Sequence, residues 1–461
     1  MHPSSIQRSG LAVLFVISMP LLLAPLLAAD LGKFSKPAGY AALEGGQFVR
    51  YKYKGEDWRY SWRQRAYVNM STEMTLSDRF NVYGGLSAFM WYNTFPKERN
   101  NDNLNFDEKH VDLDIARGEG VYAFGDPGQP ALVVGAGIFP YKYNPESRNL
   151  GEYLFRTGAY PNFILGDFDN SMAQLTGLRL SGNWLGGWGN DLLLTAETDI
   201  WPHFDWNLSY ITHYGFGKVF DIGGGVCLTN IISVDADKTT PDPSKEKARY
   251  GDAAGKYVGY VEGGDTLFYT FKSTKLMGRF TFNPGALFES EMFGEEDFKI
   301  YGEVALLGWK NYPRPPGFDS LSQYSFFEDR MQRMPVMFGI NIPTFRMLDV
   351  LSLEAEWYGL KGPNSFRDRK EEGFPLPQSP TYWAVEDQKF GTYTAADYDG
   401  KDDLKWSLYA RKTVISGFQV VGQVARDHVR HNFDSPIQLD REEALTKPGH
   451  WWWALKLAFF Y

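Results

Sequence analysis

The chain has 461 residues and a formal net charge of −9, a balance that argues against nucleic acid as a partner. Its single cysteine, Cys227, cannot form an internal disulfide, so the fold is held by something other than cross-links. Aromatic residues make up 16% of the chain, more than a soluble core of this size needs, and beyond the N-terminal run no stretch approaches the about 18 consecutive apolar residues of a membrane-spanning helix.

In chain order, the first 29 residues read as an export signal. Arg8 supplies a positive start, residues 11–27 an apolar run, and Ala28 and Ala29 small side chains before a cut at Asp30. The run is short for a span of about 20 residues, and Pro20 and Pro25 interrupt it, which favours cleavage over a retained anchor. No cysteine near the cut offers a lipid anchor. Residues 30–45 are then read as a short periplasmic segment and 46–461 as the body of the fold.

That body repeats one pattern. A strand with lipid on one side and a wet lumen on the other needs about 9 to 11 residues of alternating apolar and polar side chains. Trp62, Ala66, Val68 and Met70 alternate with Arg63, Arg65, Asn69 and Ser71. Val111, Leu113 and Ile115 alternate with His110, Asp112 and Asp114, and Leu192, Leu194 and Ala196 with Thr195, Glu197 and Asp199. Leu351, Leu353, Ala355 and Trp357 oppose Ser352, Glu354 and Glu356, while Leu404, Trp406, Leu408 and Ala410 oppose Lys405, Ser407 and Arg411. Sixteen candidate strands, within a range of about 14 to 18, start near residues 46, 58, 79, 109, 131, 172, 191, 206, 220, 264, 297, 334, 349, 403, 417 and 451. Short links such as 126–130, 216–219 and 414–416 alternate with long polar ones such as 93–108, 140–171, 235–263 and 360–402. Residues 202–205 and 283–296 break the alternation. A soluble all-β protein would also alternate. It would not accommodate mid-strand carboxylates and guanidinium groups in a packed core. The expected fold class is therefore all-β, a transmembrane antiparallel up-and-down β-barrel.

The last strand, residues 451–461, presents Trp453, Leu455, Leu457, Phe459 and Tyr461 on one apolar face, with Gly449 upstream. It resembles the closing strand of bacterial outer-membrane β-barrels, which in that family is the signal read by the barrel-assembly machinery. Only about 16 residues precede the first strand, too few for the plug of an energy-coupled importer, and there is no room for a passenger domain. The pattern as a whole resembles the sixteen-stranded general diffusion porins of Gram-negative bacteria. The resemblance implies a water-filled channel for passive diffusion of small hydrophilic solutes, outer-membrane lipid around it, a homotrimer, and no cofactor. It also implies that the loop after the fifth strand, 140–171, folds inward as a constriction, carrying Glu146, Arg148, Glu152, Arg156, Asp167 and Asp169. An external loop packed on itself remains the alternative at this point. A sugar or oligosaccharide uptake channel, suggested by the many aromatics, and a non-conducting structural or assembly barrel are the other two readings.

Strand order makes Arg63, Arg65, Lys405, Arg411 and Lys456 a basic arc of the lumen, with Asp112, Asp114, Glu197, Asp199 and Glu303 as an acidic arc across it. Local pairing of these groups along the wall is the competing reading. No outward-facing Ser, His and Asn set suited to a barrel phospholipase occurs, so no enzyme is expected. His428 and His431 with Asp427 and Asp434 read as solvated loop charge rather than a metal site. Asp397, Asp399, Asp402 and Asp403 flank a glycine at the wrong place for a calcium loop, and the glycines of 182–190 lack the Lys and Ser/Thr of a phosphate loop.

Overall fold

A computed structural model describes residues 33–34, 38–50, 52–53, 56–57, 62–94, 110–156, 173–185, 188–196, 204–232, 259–262, 265–268, 273–287, 291–309, 330–357, 404–426, 429–430, 443–444 and 451–461. Sixteen antiparallel strands close into an all-β barrel. They are β1 (Ala38–Arg50), β2 (Trp62–Ser77), β3 (Phe80–Thr94), β4 (His110–Asp126), β5 (Gln129–Tyr141), β6 (Ala173–Leu185), β7 (Trp188–Ala196) and β8 (Trp206–Phe216). The second half comprises β9 (Phe220–Ile232), β10 (Ser273–Phe282), β11 (Ile300–Leu306), β12 (Val336–Asn341), β13 (Val350–Trp357), β14 (Leu404–Ile415), β15 (Phe418–Arg426) and β16 (Trp451–Phe460). Each strand pairs with its neighbour in the chain, and β16 closes on β1 with Leu457 opposite Leu43 and Lys456 opposite Glu44. Beyond the last ladder pair, Gly39 and Tyr461 exchange backbone hydrogen bonds of 2.9 and 3.1 Å.

The alternation explains the two faces. Along β13, Val350, Ser352, Glu354 and Glu356 are buried, whereas Leu353 and Trp357 are exposed. Along β16, Trp452, Ala454, Lys456 and Ala458 are buried while Leu455 and Phe459 are exposed. The exposed face carries large apolar residues around the barrel, among them Leu43, Met70, Leu86, Leu113, Phe338 and Leu353. Aromatic side chains gather at both ends of this band. Phe80, Tyr122 and Phe124 pack together near one end, as do Trp188, Tyr214 and Phe216, and Phe418 with Phe459. At the other end Trp62 meets Trp453 edge to face.

The short links all lie at one end. Ser77 caps the β2–β3 turn by accepting the Phe80 amide, Asp126 accepts the Gly128 amide between β4 and β5, and Gly417 supplies the left-handed φ of +81° between β14 and β15. The link 283–299 is the long exception among the turns, and its described part, 283–287 and 291–299, is folded: Asp297 is buried and accepts the amides of Gly294 and Thr344, tying this turn to the next one at 342–349. Two register readings are corrected. The first strand begins at Ala38, so residues 38–45 belong to the barrel ladder and Gly46 lies within β1. The tenth begins at Ser273; residues near 264 instead form a separate hairpin, Asp265–Phe268 on Gly259–Glu262, whose alternation alone could not distinguish it from a barrel strand.

A bulge on β4 decides the inner face there. Leu86 pairs with Ile115 and Gly85 with Arg117, leaving Ala116 as an extra residue. Outward parity therefore shifts from Leu113 and Ile115 to Tyr122 and Phe124, and Arg117 and Glu119 turn inward beside buried Ala116.

Candidate functional site

From the end of β5 the chain turns into the barrel. Residues 142–156, ending in the one-turn helix α1 (Tyr153–Arg156), touch the inner faces of β5 through β13, which only a segment inside a closed barrel can do. Tyr143, Leu150, Tyr153, Leu154 and Phe155 share one apolar cluster with Leu193 of β7, Ile211 of β8, Met277 of β10, Tyr301 of β11 and Met337 of β12. Leu154 lies over Gly225 of β9, where a side chain would leave it no room.

Two wall carboxylates clamp this segment. Glu303 of β11 accepts four hydrogen bonds from it: the Glu152 amide (3.0 Å), the Tyr153 amide (2.9 Å), the Tyr143 hydroxyl (2.5 Å) and Asn144 Nδ2 (2.8 Å). Glu354 of β13 accepts the amides of Arg148 (2.6 Å), Asn149 (2.8 Å) and Leu150 (2.9 Å), and the Tyr301 hydroxyl (2.9 Å). Glu356 accepts the Tyr153 hydroxyl at 2.8 Å and pairs with Lys405 at 3.6 Å. Charge-assisted bonds of this kind are about twice as strong as neutral ones, and the carboxylates take them from five loop amides as well as from the Tyr143, Asn144 and Tyr153 side chains, fixing backbone and side chains together.

The local chain geometry makes that possible. Gly151 and Glu152 both have left-handed φ, 86° and 61°, which turns successive amides toward one carboxylate. Glycine adopts this without penalty, and Glu152 does not. The Glu152 carboxyl in turn accepts the amides of Tyr143 and Asn144, closing the segment on itself. Burial, then the charge of Glu303, pushes Glu152 up to about 8, and the same two causes raise the Tyr143 hydroxyl well above its ordinary value. At the tip, Arg148 bonds Glu296 at 2.9 Å, while Lys299 bonds Glu296 at 2.8 Å and Glu146 at 3.3 Å. Burial opposes the charged form of Glu296, but Lys299 and Arg148 hold it below its ordinary value.

Among the residues read from the sequence, Glu303 is on the inner wall, but it is covered by the loop and does not face across a lumen. Lys405 and Lys456 are likewise buried on the inner face, and Arg411 is half-buried on β14. Arg63 and Arg65 stand opposite Gly46 and Glu44 in the β1–β2 ladder, and Asp112 and Asp114 opposite Phe89 and Ser87 in the β3–β4 ladder; these four side chains lie outside the described ones. Glu197, Asp199, Asp167, Asp169, the cluster at 397–403 and the residues Asp427, His428, His431 and Asp434 lie outside the described residues, as does the Arg156 side chain. Residues 182–190 span the end of β6 and the start of β7, and Cys227 is buried on β9.

A second inner cluster was missed. Glu119 of β4 is fully buried between Arg117 (2.7 Å) and Arg179 of β6 (2.8 Å), with Arg117 stacked 3.6 Å above the Tyr83 ring. Asp221 of β9 pairs with Arg279 of β10 at 2.6 Å. The signal was available in part: Arg117 and Glu119 in RGEG and Arg279 in GRF sit at mid-strand beside glycine, and glycines on facing strands leave room for the Glu119 and Arg279 side chains. A side chain at Gly135 would collide with Glu119, and one at Gly223 would come within 2.8 Å of Arg279 Nε.

No family model matches the chain, and no curated protein sequence matches it. Solved structures similar to it include a mutant porin of Rh. blastica, with 9% identity, 93% of this chain and 100% of that chain covered and a TM-score of 0.38. A Salmonella typhi OmpF complex with daunomycin is similar at 9% identity, 93% and 98% coverage and a TM-score of 0.44. The likeness is one of barrel fold alone.

Proposed function

We propose that the chain is an outer-membrane porin, exported by its N-terminal signal, that carries small hydrophilic solutes passively through a water-filled channel narrowed by the loop after β5. The observation that carries this reading is the pairing of a charged inner wall with an apolar outer band edged by aromatics, closed over sixteen strands. Such a barrel is wide enough for a channel rather than a side-chain core. Single-channel recording in planar bilayers tests it: the purified chain is expected to insert in uniform conductance steps. A folded barrel that never conducts overturns it. Detergent-phase cross-linking tests the homotrimer that accompanies the porin reading.

One observation favours a second reading, a non-conducting structural barrel. Inner-face polar groups including Thr195, Asn207, Ser209, Lys275 and Lys405 have 0% exposure, so much of the wall is covered. The same recording separates the two.

A further inference from the structure

We infer that residues 142–156 form a proton-operated latch, held against the wall while Glu152 is neutral and released when Glu152 ionises beside Glu303. The geometry is a carboxyl pair with shared partners. Asn144 donates its amide to Glu152 and its side-chain nitrogen to Glu303; Tyr143 donates its amide to Glu152 and its hydroxyl to Glu303. Both carboxyls are buried, at 5% and 3% exposure. Glu303 has four donors and Glu152 two backbone donors, so of the two it is Glu152 whose neutral form burial and its neighbour favour.

Among the described residues, the surroundings offer little to neutralise a second charge. On the loop itself, Lys142 is the nearby cation; its charge favours ionised Glu152, though less than Glu303 opposes it, and its ammonium donates to the Ser147 carbonyl at 2.8 Å. From β5, Tyr141 faces Glu152 but donates to Asp191 of β7, near Arg179 of β6. From β10, Arg279 stands beside Glu303 in the ladder and is engaged with Asp221. β12 presents Met337, which does not titrate, and β13 presents Glu354 and Glu356, both already bonded to the loop. At the tip, Arg148 and Lys299 are matched by Glu146 and Glu296. Glu152 also sits at the strained point of the segment, with a left-handed φ of 61°, so undocking relaxes backbone as well as charge.

The direction with pH follows from the proton count. Docked Glu152 titrates at about 8, against an ordinary value of 4.5 once exposed to water. The docked state therefore binds the extra proton between those values. Docking weakens as pH rises from 4.5 to about 8, by up to about tenfold per pH unit, and levels off above.

The latch rests on loop geometry, not on conduction, and its test is hydrogen exchange of the peptide covering 142–156 in the folded full chain from pH 5 to 10, corrected for intrinsic rates. Protection is expected to fall with rising pH and flatten above about 8 in the native protein, and to stay level in Glu152→Gln, which keeps an acceptor without charge. A native profile without slope overturns the latch even if the variant fails to fold. So does a Glu152→Gln profile with the native slope. Parallel bilayer recording separates the two ideas: exchange that follows pH in a barrel that never conducts leaves the latch standing and removes the porin.

Discussion

Glu119 and Glu303 are mid-strand carboxylates on the same inner face, yet the wall treats them in opposite ways. Glu119 is neutralised by two guanidinium groups from its own and a nearby strand. Glu303 takes its donors from backbone amides, a phenol and a carboxamide brought in by the loop. The first arrangement belongs to the wall and forms with the ladder. The second exists only once residues 142–156 have entered, so the β4–β6 side of the barrel is self-sufficient and the β11–β13 side is completed by a segment from elsewhere in the chain.

The sharpest way to break this contrast is Glu303→Gln. An amide leaves one acceptor and points an NH2 group at donors, and since each bond to a charged group contributes about 1.5 to 3 kcal/mol, loop docking is expected to weaken by about 3 kcal/mol. Exchange of the Glu152 and Tyr153 amides should accelerate while the barrel's thermal transition moves little. Glu119→Gln should do the reverse. It leaves Arg117 and Arg179 facing each other, and because both guanidinium groups are partly exposed, at 28% and 21%, about 2 kcal/mol of barrel stability should be lost with loop exchange unchanged. Urea unfolding from lipid vesicles measures it. Gly135→Ala, which crowds Glu119, is expected to lose about 1 kcal/mol in the same assay. The smallest effect belongs to Lys299→Ala. It removes two part-buried ion pairs, but Arg148 still pairs with both Glu146 and Glu296, so loop exchange should change by less than about 1 kcal/mol, and less still at high salt.

How much of this could be read beforehand follows from what sets each feature. Alternation along Leu351–Trp357 and Trp451–Phe460 is a property of local sequence, so both faces of β13 and β16 were legible from side chains two residues apart. Parity across His110–Asp126 was not, because the bulge at Ala116 is defined by pairing with β3. The assignment of Glu303 to an open lumen failed for a related reason. Strand order places it on the inner wall, but whether water or backbone meets its carboxylate depends on a loop 150 residues away in sequence. Glu354 carried the same ambiguity. Glu152 was visible as a loop acid, yet its left-handed backbone and its closeness to Glu303 are consequences of docking, which no spacing within 140–171 encodes.

The β1–β16 joint has a consequence for how the barrel is made. Every other barrel joint links strands consecutive in the chain, so each closes a shorter loop, at about 1 kcal/mol across the tight turns and about 3 kcal/mol across the longest link. This one brings Tyr40 to Phe460, and gathering a chain of that length once requires about 5 kcal/mol of closure entropy. Its return comes all together, as one continuous ladder finished by the Gly39–Tyr461 backbone pair. A half-formed seam has lost the entropy without the ladder, so the cylinder behaves as a single cooperative ring: an open sheet before the joint forms, and a wall without edges after it.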